Sequence, residues 1–446
     1  MKAHKKHSTK EPRSAGEPRR ARTSSPSRSL VWARLCSSVL ALALCARMAQ
    51  GQAIAITGGT VHPVSGPRIE NATVLIRDGR IAAVGANVQV PAGARQVDAR
   101  GKWVTPGLID VATQIGLTEI GAVEGTNEGT LRGDEVAAAF NVLEGVNPAS
   151  QLIPVARIEG ITTVMSGPGG GLISGQAVAL DLWGDRIEDM VIESPVAMVG
   201  QINEGAKGTG GGSRAGVMAR LRRLFNDARE YDRRRTDYQR RQMQPLSAPV
   251  ADLEAILPVL RGELPLVLGA NRRSDIENAL RLAREYNLRL LIDGAVEGWQ
   301  VADQLAAARV PVIINPLADI PTYDGLSPRL ENAALLSRSG VQVIISSFDS
   351  HNSRNIKQLA GNAVAYGMDW DAALRAVTLG PATALGIGDR YGSLEVGKVA
   401  DVVVWSGDPF EFSTAAETVL VRGTEVPLTS RQRQLMERYK TLPPRY

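Results

Sequence analysis

The chain has 446 residues, of which 44% are hydrophobic and 22% charged, with 45 glycines and 24 prolines. That length supports a large core and more than one domain, and the composition excludes bulk disorder. Both cysteines, Cys36 and Cys45, lie near the N-terminus, so the rest of the chain can form no disulfide, thiol nucleophile or thiolate metal site.

Charge is unevenly placed. Residues 1–52 hold 11 of the 51 Lys and Arg but only 2 of the 46 Asp and Glu, which leaves 40 basic against 44 acidic side chains beyond them. The basic excess belongs to this segment, so nucleic-acid binding by the remainder loses its main support. A basic lead-in ends at Arg34, an apolar stretch covers 35–46, and small residues follow at Ala49, Gly51 and Ala53. Basic, then apolar, then small is the order of a secretory signal peptide, and the expectation is a periplasmic or secreted protein. The apolar run is too short for an ordinary membrane-spanning helix. The lead-in is unusually long, which leaves a start codon further downstream open. Leu44 before Cys45 is bulkier than a lipoprotein cleavage site accepts.

From Ala53 to about Val104 the pattern is β. Asp78–Gly79 supplies the positive φ angles of a tight turn, so ATVLIR and RIAAVG are expected to pair antiparallel. Over 105–389, short apolar runs alternate with helical stretches. Strand candidates are 107–112, 162–166, 265–269, 289–293, 310–315 and 341–347. Helices are expected over 274–287, with Ser274 as N-cap, and over 298–310. Repeated strand–helix units over nearly 300 residues predict an α/β fold, a (β/α)8 TIM-like barrel. After Gly392 the β pattern returns. Residues 53–104 and 390–428 are expected to build one composite β-sandwich domain, with 429–446 as a docking helix and irregular tail.

Residues 204–245 form an insertion. Its glycine-rich start suggests a phosphate loop, but no Gly-Lys-Ser/Thr ending follows and no strand leads directly in. A helix follows with Val217, Leu221, Leu224, Ala228 and Tyr231 on one side and ten arginines between Arg214 and Arg241. A solvated, lid-like helix laced with ion pairs is expected, and the arginines leave an acidic partner open.

Three segments carry a family resemblance: VTPGLID (104–110), GITTVMSGPGGGLISGQAVAL (160–180) and LRAVTLGPATALGIGDRYGSLEVGKVADVVVWSGDP (374–409). In this order and spacing they resemble the amidohydrolase superfamily, in its imidazolonepropionase-related branch. The resemblance covers most of the chain beyond residue 52. It implies hydrolysis of non-peptide carbon–nitrogen bonds, with one or two divalent metals activating water at the C-terminal ends of the barrel strands.

The family's His-X-His pair falls on Ala112 and Gln114, neither of which suits zinc. Gly269 stands where relatives often carry histidine, and Asp293, Gly294 and Glu297 occupy a comparable later zone. The histidines are His4, His7, His62 and His351, of which only His351 falls in the barrel segment. No cofactor is expected, and a divalent metal could enter only through an atypical site. Asp349 matches the aspartate that binds metal and handles protons in active relatives. With His351 it could form an acid–base pair; alternatively it caps the helix beginning near Ser353 or bonds nearby loop amides. Gln114, Asp293 and Glu297 are expected to line the pocket, and Asp110 to accept hydrogen bonds beneath it. Lys207, in a glycine loop, and Lys357, on a helix, do not suit a strand-borne carboxylated lysine.

Two readings follow from the resemblance: a divergent hydrolase with a degraded metal site, or an inactive barrel that binds a ligand or serves as an accessory subunit of an active relative. The expected partner is a small molecule, and association into a homo-oligomer stays open.

Overall fold

The computed structural model describes residues 52–133 and 135–440. The expected signal segment and the last six residues lie outside them. Sixteen strands run in chain order: β1 (Ile54–Val61), β2 (Ile69–Arg77), β3 (Arg80–Gly85), β4 (Arg95–Asp98), β5 (Trp103–Pro106), β6 (Leu108–Thr113), β7 (Ile161–Ser166), β8 (Ile173–Asp181), β9 (Val191–Gln201), β10 (Leu266–Ala270), β11 (Leu290–Gly294), β12 (Val312–Ile314), β13 (Val343–Ile345), β14 (Val402–Trp405), β15 (Ala416–Val421) and β16 (Thr424–Glu425).

Both chain ends build the smaller domain. One hydrogen-bonded sheet runs β16-β15-β14-β5-β1-β2-β3, with β4 joining β1 off the path. β2 and β3 pair antiparallel about Asp78 and Gly79, whose φ angles of 51° and 72° are those the turn needs. Alternating residues of these strands, Ile56, Val74, Ile81, Val104, Val402 and Leu420 among them, meet in a single cluster, so the sheet curls around its own core.

The larger sheet runs β6 to β13 in sequence order and forms a nearly closed barrel. β6 and β7 are parallel, as are β9 through β13. β8 is the exception: it runs antiparallel to both β7 and β9. A regular (β/α)8 barrel needs a crossover helix between β7 and β8. Here residues 167–172 leave room only for a hairpin, and Gly170 and Gly171 take the φ angles of 88° and 67° that close it. Gly175 lies against the Phe140 carbonyl, so the segment before β7 packs where a crossover helix would lie.

The helices Arg273–Tyr286 and Ala302–Ala308 fall close to where the sequence puts them. The insertion departs from expectation. Its helix, Arg214–Arg233, buries Val217, Met218, Leu221, Leu224, Phe225, Ala228 and Tyr231 in the main core, against the helix Val250–Leu260. Each buried apolar side chain contributes about 1.5–3 kcal/mol, whereas an exposed ion pair adds roughly 0–1 kcal/mol. The apolar face therefore decides where this helix goes, and its arginines pair along the outer face. The C-terminal helix, Arg431–Tyr439, has no buried residue. Its short apolar face, Leu435, Met436 and Tyr439, stays exposed. Among the described residues no helix is long and apolar enough to cross a membrane.

A buried polar cluster joins the two domains. Asp181 on β8 accepts from Tyr391 Oη at 3.0 Å, from Thr163 Oγ1 at 3.4 Å and from Arg422 Nε. Thr163 Oγ1 also lies 3.3 Å from Asp401 Oδ2, so two carboxylates share one hydroxyl. Burial pushes the Asp181 carboxyl up to about 8; Asp401 adds to the shift and Arg422 opposes it. Beside this cluster Trp405 is fully buried, and its Nε1 donates to Thr105 at 2.8 Å.

Candidate functional site

A cavity of 740 Å³ opens at the barrel mouth. That is within the range of about 300–1,000 Å³ usual for small-molecule sites. Its floor is apolar, with Val111, Met165, Val199, Val267 and Ile313 at inward strand positions. Its rim is polar. Gln114, Asp293, Asp349 and His351 all line it, so four of the five site residues read from the sequence come together. Glu297 does not line it. It is buried behind the mouth, where Oε2 accepts from Arg273 N at 2.9 Å and Oε1 accepts from Leu326 N and Ser327 N at 2.8 and 3.0 Å. Its carboxylate folds two loops, because backbone amides leaving a strand end need an acceptor.

β6 positions the near wall. Ala112 N donates to Ser346 Oγ at 2.8 Å, and Gln114 N donates to Ser350 Oγ at 3.0 Å. The Gln114 side chain is occupied: Oε1 accepts from Thr118, and Nε2 reaches the carbonyls of Gly129 and Gly167 at 3.5 and 3.4 Å. It braces the rim. Beneath it, Asp110 is fully buried and accepts from Ser346, Ser347 and Ser353 hydroxyls and from Ser347 N. These bonds close the seam between β6 and β13, where no strand pairing exists.

Asp349 follows β13. Its Oδ1 accepts the amides of His351 at 2.7 Å and Asn352 at 2.9 Å, and its Oδ2 accepts from Asn352 Nδ2 at 3.1 Å. The expected acid–base pair does not form, because the carboxylate holds the His351 backbone and the exposed imidazole takes no part. Asp349 instead bonds nearby loop amides just before the short helix Asn352–Asn355, whose N-cap position is His351 and carries no side-chain cap bond.

Asp293 is different. It lies near the end of β11, in register with Gly269 on β10, where a Cβ would crowd Asn203 Nδ2 at 3.1 Å and Gln201 Cβ at 3.2 Å. Asp293 Oδ1 is buried with no hydrogen-bond partner. Burial alone pushes its carboxyl up to about 7. An aspartate with a free oxygen and a pKa near neutrality can both take and give a proton, and such groups concentrate at functional sites.

Asp293 also borders a second cavity of 260 Å³, lined by Asn203, Asn271, Asn315 and Phe348. Phe348 lines both cavities and holds φ at 56°. The asparagines escaped the sequence reading. Each lies just beyond a strand end (β9, β10 and β12 respectively), and that position in a barrel is the signal that could have found them.

The donors present do not fit a divalent metal. Among the described residues no three His, Cys, Asp or Glu side chains gather as a metal site. Both Asp349 oxygens are committed to the loop, and Gln114 is committed to the rim. Among the described residues lining the cavity, Asp293 alone has a buried carboxylate oxygen without a partner.

The pattern described as "Amidohydrolase family" matches residues 273–427. The chain is 24% identical to amidohydrolase tasK of Hapsidospora irregularis over 398 residues, 79% of this chain but 39% of that protein, so it spans well under half of that relative's length. It is 27% identical to the imidazolonepropionase of Pseudomonas entomophila (strain L48) over 378 residues, 76% of this chain and 88% of that one. The crystal structure of an amidohydrolase from Thermotoga maritima MSB8 matches 85% of this chain and 100% of its own, with a TM-score of 0.76 and 28% identity. The barrel, the composite domain and these likenesses agree: residues 273–427 form an amidohydrolase-family segment, and the chain has amidohydrolase and imidazolonepropionase homologues.

Proposed function

We propose that the barrel-mouth cavity takes a small molecule with a non-peptide carbon–nitrogen bond and hydrolyses it, with Asp293 handling the proton. The unpartnered, near-neutral carboxyl at the end of β11 carries this reading. Water oxygen would bond to the acyl carbon as one of its protons passes to Asp293. The same proton would then go to the departing nitrogen as the carbon–nitrogen bond breaks. Burial raises the proton affinity of the Asp293 carboxylate, which favours its taking the proton from water. No step passes through a metal, since the donor set does not fit one.

Turnover of cyclic amides and N-acyl amines by the purified protein tests this, with elemental analysis of the same preparation. Asp293→Asn should lower turnover at least ~100-fold while the fold persists. Unchanged turnover would remove Asp293 from the reaction.

A second reading has its own support: a barrel that binds a ligand or serves an active relative without turnover. The commitment of Asp349 to loop amides favours it. Wild-type protein inert toward the whole panel, yet co-purifying with a histidine-bearing homologue, would select it. We also propose export from the cytoplasm, on the basic, apolar and small-residue order of 1–52. N-terminal sequencing of the protein from fractionated cells checks this.

A further inference from the structure

The smaller cavity beside Asp293 has a polarity of its own. Five buried side-chain polar atoms among the described residues lack a partner, and two of them, Asn271 Oδ1 and Asp293 Oδ1, belong to residues lining this one cavity. Both are acceptors. The amide of Asn271 cannot turn to offer a donor instead, because its Nδ2 donates to Asp324 Oδ2, and a flip would set two oxygens together. Asn203 and Asn315 use their own oxygens on Gly205 N at 3.0 Å and Leu317 N at 2.9 Å. The unmet demand of this space is therefore for N–H donors.

Charge points the same way. No Lys, Arg or His lines the cavity. Behind Asn271, the guanidinium of Arg214 is shared among Glu204, Asp275 and Asp324, at 3.0, 2.9 and 2.9 Å. Lys207 is paired with Glu204 at 2.8 Å. Arg214 and Lys207 are thus taken up by these carboxylates, and Arg272 acts on Asp275, so no cation is left facing the annex. A buried acceptor pair in a space that no cation lines disfavours a carboxylate or phosphate and favours a positive group.

We propose that this annex receives the cationic nitrogen of the ligand, a primary ammonium or amidinium, with Asn271 Oδ1 and Asp293 Oδ1 as its acceptors. The inference rests on the reading of the barrel mouth as the ligand site, and it narrows the ligand to one carrying a cationic N–H group beside an apolar body. Phe348, on the wall between the two cavities, separates the part of the ligand on the apolar floor from the part in the annex.

Calorimetric titration of the full chain with phenethylamine, 2-phenylethanol and phenethyltrimethylammonium tests it. The three share an apolar body and differ in charge and N–H donors. Phenethylamine should bind at least tenfold more tightly than either other probe, and Asn271→Ala should erase that preference. The wild-type comparison decides the matter even if the variant fails to fold. Equal affinities, or no amine binding up to millimolar concentration, would overturn the proposal. Amide turnover without amine preference would sink the annex and leave the hydrolase reading intact. Amine preference without turnover would keep the annex and select the non-catalytic reading.

Discussion

Ser353 donates its hydroxyl to Asp110 at 2.7 Å across 243 residues of chain, and so ties the loop after the last barrel strand to the first. The two edge strands have no ladder between them, so this carboxylate and its four donors substitute for one. Asp110→Ala would leave the Ser346 and Ser353 hydroxyls and the Ser347 amide without their acceptor, while the Ser347 hydroxyl keeps the Asp349 carbonyl at 2.8 Å. Each such group costs about 1–3 kcal/mol, so we expect a loss of at least ~3 kcal/mol in urea unfolding, and a smaller one for Asp110→Asn. A loss under ~1 kcal/mol would mean that the seam is held by something else.

The Asp181 carboxyl, raised to about 8, makes stability depend on pH. Facing it are Asp401, Arg422 and Tyr391. The folded chain holds a proton there that the unfolded chain releases near pH 4. The stabilisation is therefore complete below pH 4 and drains away as pH rises through 8. Asp181→Asn should remove this slope, at most about 1.4 kcal/mol per pH unit. Urea unfolding at several pH values between 4 and 9 gives the comparison, and parallel curves for the two proteins would contradict it.

For Asp349 we expect a local effect. Asp349→Ala deprives the His351 and Asn352 amides of their acceptor, and their hydrogen exchange should quicken at least tenfold. Asp349→Asn keeps one acceptor oxygen and should change exchange less. If both variants exchange like wild type, the carboxylate does not hold this loop.

Gly160 holds φ at 84°, and a methyl group there would lie 2.3 Å from the Trp405 ring. Gly160→Ala combines backbone strain with overpacking and should cost roughly 2–4 kcal/mol. At Gly262, with φ 74°, a methyl group would meet only the Asn287 carbonyl at 4.0 Å, so Gly262→Ala isolates the backbone part and should cost only about 1 kcal/mol. Equal losses for the two would remove the clash with Trp405 from the account.

Much of the fold is legible because its signals are local. Asp78–Gly79 marks its hairpin by turn chemistry alone, and six of the barrel strands mark themselves as short apolar runs, whereas β8 and β9 are not among the strands read from the sequence. The reversal of β8 is not legible in that way: an apolar run looks the same in either direction, and only the length of the 167–172 connection decides. The helix from Arg214 shows why a charge run misleads. Its arginines fill the outward positions of a helix whose inward stripe was already visible at Val217, Leu221 and Leu224. At the site, residue type suggested Asp293 and Asp349 alike. What separates them is which oxygens other groups have claimed, and that depends on residues distant in sequence or on loop geometry.

The reversed strand also orders events along the folding path. β7, β8 and β9 meet through connections of a few residues, whereas Asp110 and Ser346 must find each other across 236. Local contacts form before the chain entropy of long loops has been overcome. The three-stranded meander is thus suited to act as the nucleus, with barrel closure at the seam as the last event. Substitutions in the glycine turn at 167–171 should then slow folding, and substitutions at Asp110 should chiefly hasten unfolding.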